Sequence, residues 1–251
     1  ISESFQDIRM GATMDCYLNG YNDPRISKYF RTATNDGQYR GVRNGMDNIS
    51  KDSYIAAASG LNFEENSNMQ WMDASEAYFL LAEAKLRLGL GSSTVQEYYE
   101  QGIRTSFASK GASGVDEYIS NSENLPLGTY IDPVTNRSTN VTGYLSQRTV
   151  AWEEGVSNEE KLERIMIQKW IALYPDGQEA WSEMRRTGYP GFVRIASYAH
   201  QNEVADGELI SRLKFPTTEY SDNSQNTQEA VALLGTGGDT AGTRLWWDVR
   251  R

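Results

Sequence analysis

Four times in this chain a side-chain oxygen able to cap a helix is followed, three residues on, by Glu or Gln and then by an apolar run. The pairs are Asp73 with Glu76, Ser93 with Gln96, Ser157 with Glu160 and Asp176 with Glu179. The first backbone N–H groups of a helix have no partner within it, so such an oxygen fixes where the helix begins. Ala74, Ala77, Tyr78, Leu81 and Leu88 then recur at helical spacing, as do Val95, Tyr99, Ile103 and Phe107. Leu162, Ile165, Met166, Trp170 and Leu173 make a third face, and Ala180, Trp181 and Met184 a short fourth. Gly89, Gly91, Pro175, Gly188 and Pro190 supply the stops. The spacing predicts helices near 74–90, 94–109, 158–174 and 178–187, hence a mainly α fold.

The linker between the first two helices is so short that they must pack antiparallel, as a hairpin over 73–109. Its size is that of one tetratricopeptide unit, about 34 residues. Residues 157–187 form a helical pair. Between them, 110–156 is rich in Gly, Ser, Thr and Asn and reads as one long loop, a feature more often functional than incidental. The first 70 residues carry turn signals at Asn22-Asp23-Pro24, Asn35-Asp36-Gly37 and Asn44-Gly45. They predict loops, short strands and one short helix around Pro24–Phe30. The last 60 residues also read as loop.

Composition narrows the partners. A net charge of -10 argues against nucleic acid and anionic membrane surfaces, both of which need clustered Lys and Arg. The single cysteine, Cys16, excludes an internal disulfide and any site needing two thiolates. No run approaches the ~20 apolar residues of a membrane span. The chain starts at Ile1 without Met and without a signal peptide, and reads as a processed product or a fragment.

Catalytic chemistry finds little to stand on. His200 is the only histidine and has no nucleophile elbow near it, which disfavours nucleophile–base catalysis. One His and one Cys do not make a zinc site. Glycosidases need two carboxylates at ~5–10 Å, but Glu76, Glu83, Glu153, Glu154, Glu159 and Glu163 lie near helix starts, where capping and the helix dipole account for them. Asp132-Pro133-Val134-Thr135-Asn136 lacks the alternating ligands of a calcium loop and reads as a turn. Gly235-Thr236-Gly237-Gly238 lacks the Lys of a phosphate loop. No metal, cofactor or catalytic residue is expected.

Aromatic and amide-rich loops remain. Tyr39, Arg43, Asn44, Asn48, Tyr54 and Trp71 precede the hairpin; Tyr130, Asn136, Arg137, Asn140 and Trp152 follow it. Flat rings cover the C–H faces of sugars, and planar amides and Arg read hydroxyls. The ligand-binding candidates are Tyr39, Arg43, Asn48, Tyr54, Trp71 and Tyr130.

The order of several segments resembles one family. Met69-Gln70-Trp71-Met72-Asp73-Ala74-Ser75-Glu76-Ala77-Tyr78-Phe79-Leu80-Leu81-Ala82-Glu83-Ala84 looks like the hallmark helix of SusD/RagB proteins. Arg164-Ile165-Met166-Ile167-Gln168-Lys169-Trp170-Ile171-Ala172-Leu173-Tyr174 and Glu179-Ala180-Trp181-Ser182-Glu183-Met184-Arg185-Arg186-Thr187-Gly188-Tyr189-Pro190 resemble its later helices. Asn22-Asp23-Pro24-Arg25, Phe215-Pro216-Thr217-Thr218-Glu219-Tyr220 and Thr243-Arg244-Leu245-Trp246-Trp247-Asp248 fit the same order.

The resemblance implies that residues 1–251 are one SusD-like domain, the C-terminal half of the family's α-α superhelix, with the N-terminal half and its lipidated cysteine expected ahead of Ile1. It implies a surface-exposed outer-membrane lipoprotein that binds an oligosaccharide or polysaccharide without catalysis and delivers it to a SusC-like TonB-dependent transporter. Trp170, Trp181, Trp246 and Trp247 are expected in the core. A peptide-binding helical scaffold and a glycoside hydrolase are the alternative readings.

Overall fold

The computed structural model describes residues 5–46, 50–68, 70–196, 203–205 and 207–248. Of the sequence candidates, Asn48 and His200 lie outside them. The chain divides into two compact units, Ile1–Arg43 with Asn48–Val193, and Asn44–Asp47 with Arg194–Arg251.

In the larger unit the described elements run α1 (Ala12–Gly20), α2 (Ile26–Tyr29), α3 (Lys51–Ala57), α4 (Ala74–Leu88), α5 (Val95–Lys110), α6 (Val115–Ile119), β1 (Thr129–Ile131), β2 (Ser138–Asn140), α7 (Asn158–Leu173) and α8 (Gly177–Thr187). The four helices expected from capping signals are α4, α5, α7 and α8. Ser157 and Glu160 form a reciprocal capping box, and the Asp176 carboxylate accepts from Glu179 N–H. Asp73 also caps α4, but through Ser75 N–H, while Glu76 turns instead toward Lys169. The α5 box is Thr94 with Glu97, one residue beyond the expected Ser93 and Gln96. Gly89, Gly111 and Gly188 close α4, α5 and α8 with positive φ, a conformation that costs glycine nothing.

The hairpin is antiparallel: Ser109, near the end of α5, donates to the Asp73 carboxylate at the start of α4 at 2.7 Å. The two helices approach closely where Phe79 lies over Gly102; a Cβ there would sit 2.8 Å from the ring. The buried face of α4 is Ser75, Phe79, Ala82 and Glu83. The stripe expected from Ala74, Ala77, Leu81 and Leu88 instead faces outward, Leu88 being 70% exposed. Both faces of α4 carry apolar residues at helical spacing, so periodicity finds the helix without saying which face is buried.

The central helix is α7, buried around most of its circumference, with Leu162, Ile165, Met166, Ile167, Ile171 and Ala172 in the core. Its buried Lys169 places Nζ 3.4 Å from Glu76, 3.3 Å from Glu183 and 3.9 Å from Glu179. Arg186 clasps Glu83 at 2.7 and 2.6 Å and also meets Glu183. This ionic seam ties α4, α7 and α8 together. A second buried cation, Arg25, donates to Asp23 at 3.0 and 2.6 Å, to Ser106 on α5, to Tyr118 on α6 and to Gln168 on α7.

The loop readings are only partly met. The first 70 residues hold α2 where a short helix was expected, but also α1 and α3, and the extended pieces make isolated bridges at Arg9–Gly60, Gly11–Val42 and Phe30–Leu61. The 110–156 segment contains α6 and an antiparallel β1–β2 hairpin pairing Tyr130 with Thr139. Asp132 organises its turn by accepting from Val134 N–H and from Thr135 N–H and Oγ1–H.

Among its described residues the smaller unit contains α9 (Thr217–Asp222), α10 (Ser224–Ala232) and a 3-10 turn at Gly235–Gly237, where loop was expected. Asp239 collects Arg212, Phe215 N–H and the Tyr220 hydroxyl. Trp246, expected in the core, is 90% exposed, and Trp247 is 36% exposed. Trp170 and Trp181 are half-buried.

Candidate ligand-binding site

The extended segment 39–43 is held on three sides. From α1, the Asp15 carboxylate accepts from Gly41 N–H at 2.6 Å, and the Asn19 amide donates to the Tyr39 carbonyl at 3.1 Å. From the other flank, Arg40 and Ser59 exchange backbone and hydroxyl bonds. From β1, the Tyr130 hydroxyl donates to the Gly41 carbonyl and accepts from Arg43 N–H, both at 3.1 Å. Gly41 is required by this crowding: a Cβ would lie 2.7 Å from the Asp15 side chain and from the Gly11 carbonyl oxygen.

Tyr54, from α3, joins the same cluster by donating to Asp132 at 3.0 Å. Burial, and then the bond to Asp132, push the Tyr54 hydroxyl up to about 12. Burial raises Tyr130 and Asp15 as well. Burial works against the Asp132 charge, yet the bonds from Thr135, Tyr54 and Val134 hold it below the usual carboxylate range. These phenols stay protonated at neutral pH and act as fixed donors.

The structure therefore brings Tyr39, Arg43, Tyr54 and Tyr130 into one hydrogen-bonded neighbourhood. The rings of Tyr54 and Tyr130 are not the free loop aromatics expected: Tyr54 sits in a helix, Tyr130 in a strand, and both are buried. Tyr39 and Arg43 are half-buried and keep part of their surface in solvent. Trp71 takes no part in this network; it is 82% exposed ahead of α4.

An open cleft of about 510 Å³ lies beside this region, lined by Asn19, Asn22, Asp23, Ser27, Lys28 and the Gly111–Ser113 bend, among others. Asn19 belongs to both, lining the cleft while holding Tyr39. Amides, hydroxyls and one ammonium suit a hydroxyl-rich ligand. Both Asp23 oxygens receive the Arg25 guanidinium, which holds that carboxylate in place. Asn22-Asp23-Pro24 forms the turn its composition predicts, with Asn22 at φ +52, while its place in the cleft lining had no signal in the sequence. Among the described residues, no group of three His, Cys, Asp or Glu side chains is placed to hold a metal ion.

A helical-hairpin protein with a polar, amide-lined cleft is the class that this geometry defines. Residues 1–248 match the SusD-like family, described as Susd and RagB outer membrane lipoprotein, and the chain belongs to that family. Its fold is similar to that of a SusD homologue from Bacteroides thetaiotaomicron VPI-5482, with a TM-score of 0.92 and 39% identity over 100% of this chain and 54% of that one. A chitin-binding SusD homologue from Flavobacterium johnsoniae gives 0.90 and 39%, over 100% of this chain and 52% of that one. A SusD homologue from Bacteroides uniformis ATCC 8492 gives 0.90 and 38%, over 99% and 51%. The chain thus spans about half the length of these relatives. None of the curated proteins matches it.

Proposed function

We propose that this chain is part of a surface-exposed outer-membrane lipoprotein that captures a glycan and passes it, unhydrolysed, to a SusC-like TonB-dependent transporter. The observation that carries the reading is family membership, together with a chitin-binding homologue 39% identical across the whole chain. The amide-lined cleft and the adjoining Tyr39–Arg43 segment support it chemically. Tyr39, Arg43 and Trp71 are the proposed contacts. Tyr130 is proposed to act from behind, holding Gly41 and Arg43 in place, with Tyr54 supporting it through Asp132; Asn48 completes the proposed set of ligand-binding residues.

The test is a glycan array followed by calorimetry on Tyr39→Ala, Trp71→Ala and Asn22→Ala. Loss of one stacking ring is expected to weaken binding about tenfold, as for other buried aromatic contacts. Full affinity in all three folded variants would refute this placement of the site.

A further inference from the structure

This acidic chain sets a carboxylate against several of its guanidiniums: Asp23 against Arg25, Glu163 against Arg148, Glu153 against Arg164, Glu83 against Arg186 and Asp239 against Arg212. Arg9 departs from that pattern. It is half-buried, and among the described residues no carboxylate lies within ion-pair distance of it. Asp7 acts on it only from farther off and is itself paired with Lys51. Burial outweighs that distant charge and lowers the Arg9 pKa from its ordinary value. Its Nε is buried without an acceptor, and its Nη2 reaches Gln6 Oε1 at 3.3 Å. A partly desolvated cation with no anion beside it is a cost that a bound anion removes.

The backbone holds Arg9 in this position. It bridges to Gly60, and a Cβ there would lie 2.6 Å from its Nη1, so glycine is what lets the guanidinium fold over the chain. The residue lines a small pocket of about 200 Å³, together with Arg31, Thr32, Thr34, Ile55 and Leu61 among others. Arg31 is fixed at its edge: its N–H donates to the Gly60 carbonyl at 2.9 Å and its Nη2 to the Phe63 carbonyl at 3.0 Å. The Thr34 hydroxyl donates to the Ala56 carbonyl at 3.2 Å, which leaves its oxygen able to accept. The pocket thus offers two guanidiniums, two hydroxyls and an apolar wall. Its wall at 58–61 also carries Ser59, which exchanges hydrogen bonds with Arg40 in the 39–43 segment of the candidate glycan site.

We infer that this pocket reads a carboxylate, and that its ligand is a hexuronic acid residue of an acidic glycan. The inference rests on the glycan-capture reading and names the class of glycan. A planar guanidinium matches a carboxylate through paired N–H donors. Thr32 and Thr34 then face ring hydroxyls, while Ile55 and Leu61 cover a C–H face. The volume is below the ~300 Å³ at which pockets begin to hold larger ligands, and suits one sugar unit. A net charge of -10 repels a densely charged polyanion, whereas one carboxylate per sugar meets two guanidiniums here.

The test is calorimetric titration of the chain with trimers of galacturonate, glucuronate and mannuronate, each beside its fully methyl-esterified form, and with sodium acetate. At least one acidic trimer is expected to bind about tenfold or more tightly than its ester, the difference shrinking as salt is raised. Arg9→Gln is expected to abolish that difference, leave the ester unchanged and melt no lower than wild type, because it breaks no ion pair. Esters that bind as well as the acids overturn the inference while glycan capture stands, as does binding of neutral sugars alone. Absence of binding by every sugar overturns both. Acetate binding as tightly as the trimers overturns the assignment to a sugar. An Arg9→Gln variant that folds and keeps the full preference overturns the site; if it does not fold, the comparison of acid with ester in wild type still decides.

Discussion

Arg25 is a side chain whose loss the fold absorbs poorly. It is fully buried, and its guanidinium lies 4.8 Å from the Phe107 ring centroid and 5.3 Å from that of Tyr118. Burial opposes its charge, but Asp23 and the surrounding hydroxyls outweigh this and raise its pKa. Arg25→Met strands the buried Asp23 carboxylate and removes a donor from Ser106, Tyr118 and Gln168. Stranding one partner of a buried pair costs about 3–5 kcal/mol. At roughly 2–4 °C per kcal/mol for a chain of this size, the melting temperature falls by about 6–20 °C. Circular dichroism at 222 nm with heating and urea reads this directly. The double variant Asp23→Leu/Arg25→Met removes the stranded charge and is expected to recover at least about 1 kcal/mol. A single variant that melts within 2 °C of wild type would refute the reasoning. So would a double variant no better than the single.

Lys169→Met removes the cation from between Glu76, Glu179 and Glu183, and urea titration is expected to show a loss of about 2 kcal/mol, moderated because Arg186 still pairs Glu183. Gly102→Val drives a side chain into Phe79; overpacking of ~2 kcal/mol or more is expected to exceed any helix-propensity gain, read as a lower melting temperature. Asp132, whose folded pKa is depressed, contributes stability that is present above its ordinary value of 3.8 and is lost as pH falls below it. Thermal melts from pH 6 to 3 should therefore show Asp132→Asn losing less stability on acidification than wild type does.

The helices that the sequence disclosed were those with side-chain caps and hard stops. Ser157 with Glu160 and Asp176 with Glu179 mark α7 and α8 to within a residue, because the cap oxygen and the backbone donor it serves are both local. Helix α1 escaped notice since its N-cap, Gly11, offers no side-chain bond, and α3, α9 and α10 likewise begin without one. Nothing local reveals Arg25: Asn22-Asp23-Pro24-Arg25 stands out only as a motif, while its partners Ser106, Tyr118 and Gln168 lie up to 143 positions away. The candidate site was legible as a neighbourhood and not in its roles. Tyr54 and Tyr130 were singled out as rings, whereas their hydroxyls hold Asp132 and Gly41 and their faces are buried by packing. The outward apolar face of α4 was read as its core face for a related reason, since hydrophobic spacing carries no sign of what lies opposite.

Calorimetric titration of the chain with soluble oligosaccharides, chitin-derived ones first, tests the central claim of glycan capture most directly when the titrated sugar is then assayed for new reducing ends. Saturable binding with the sugar unchanged in length is the predicted result. Absence of saturable binding to every sugar up to about 1 mM, or the appearance of new reducing ends, would contradict it.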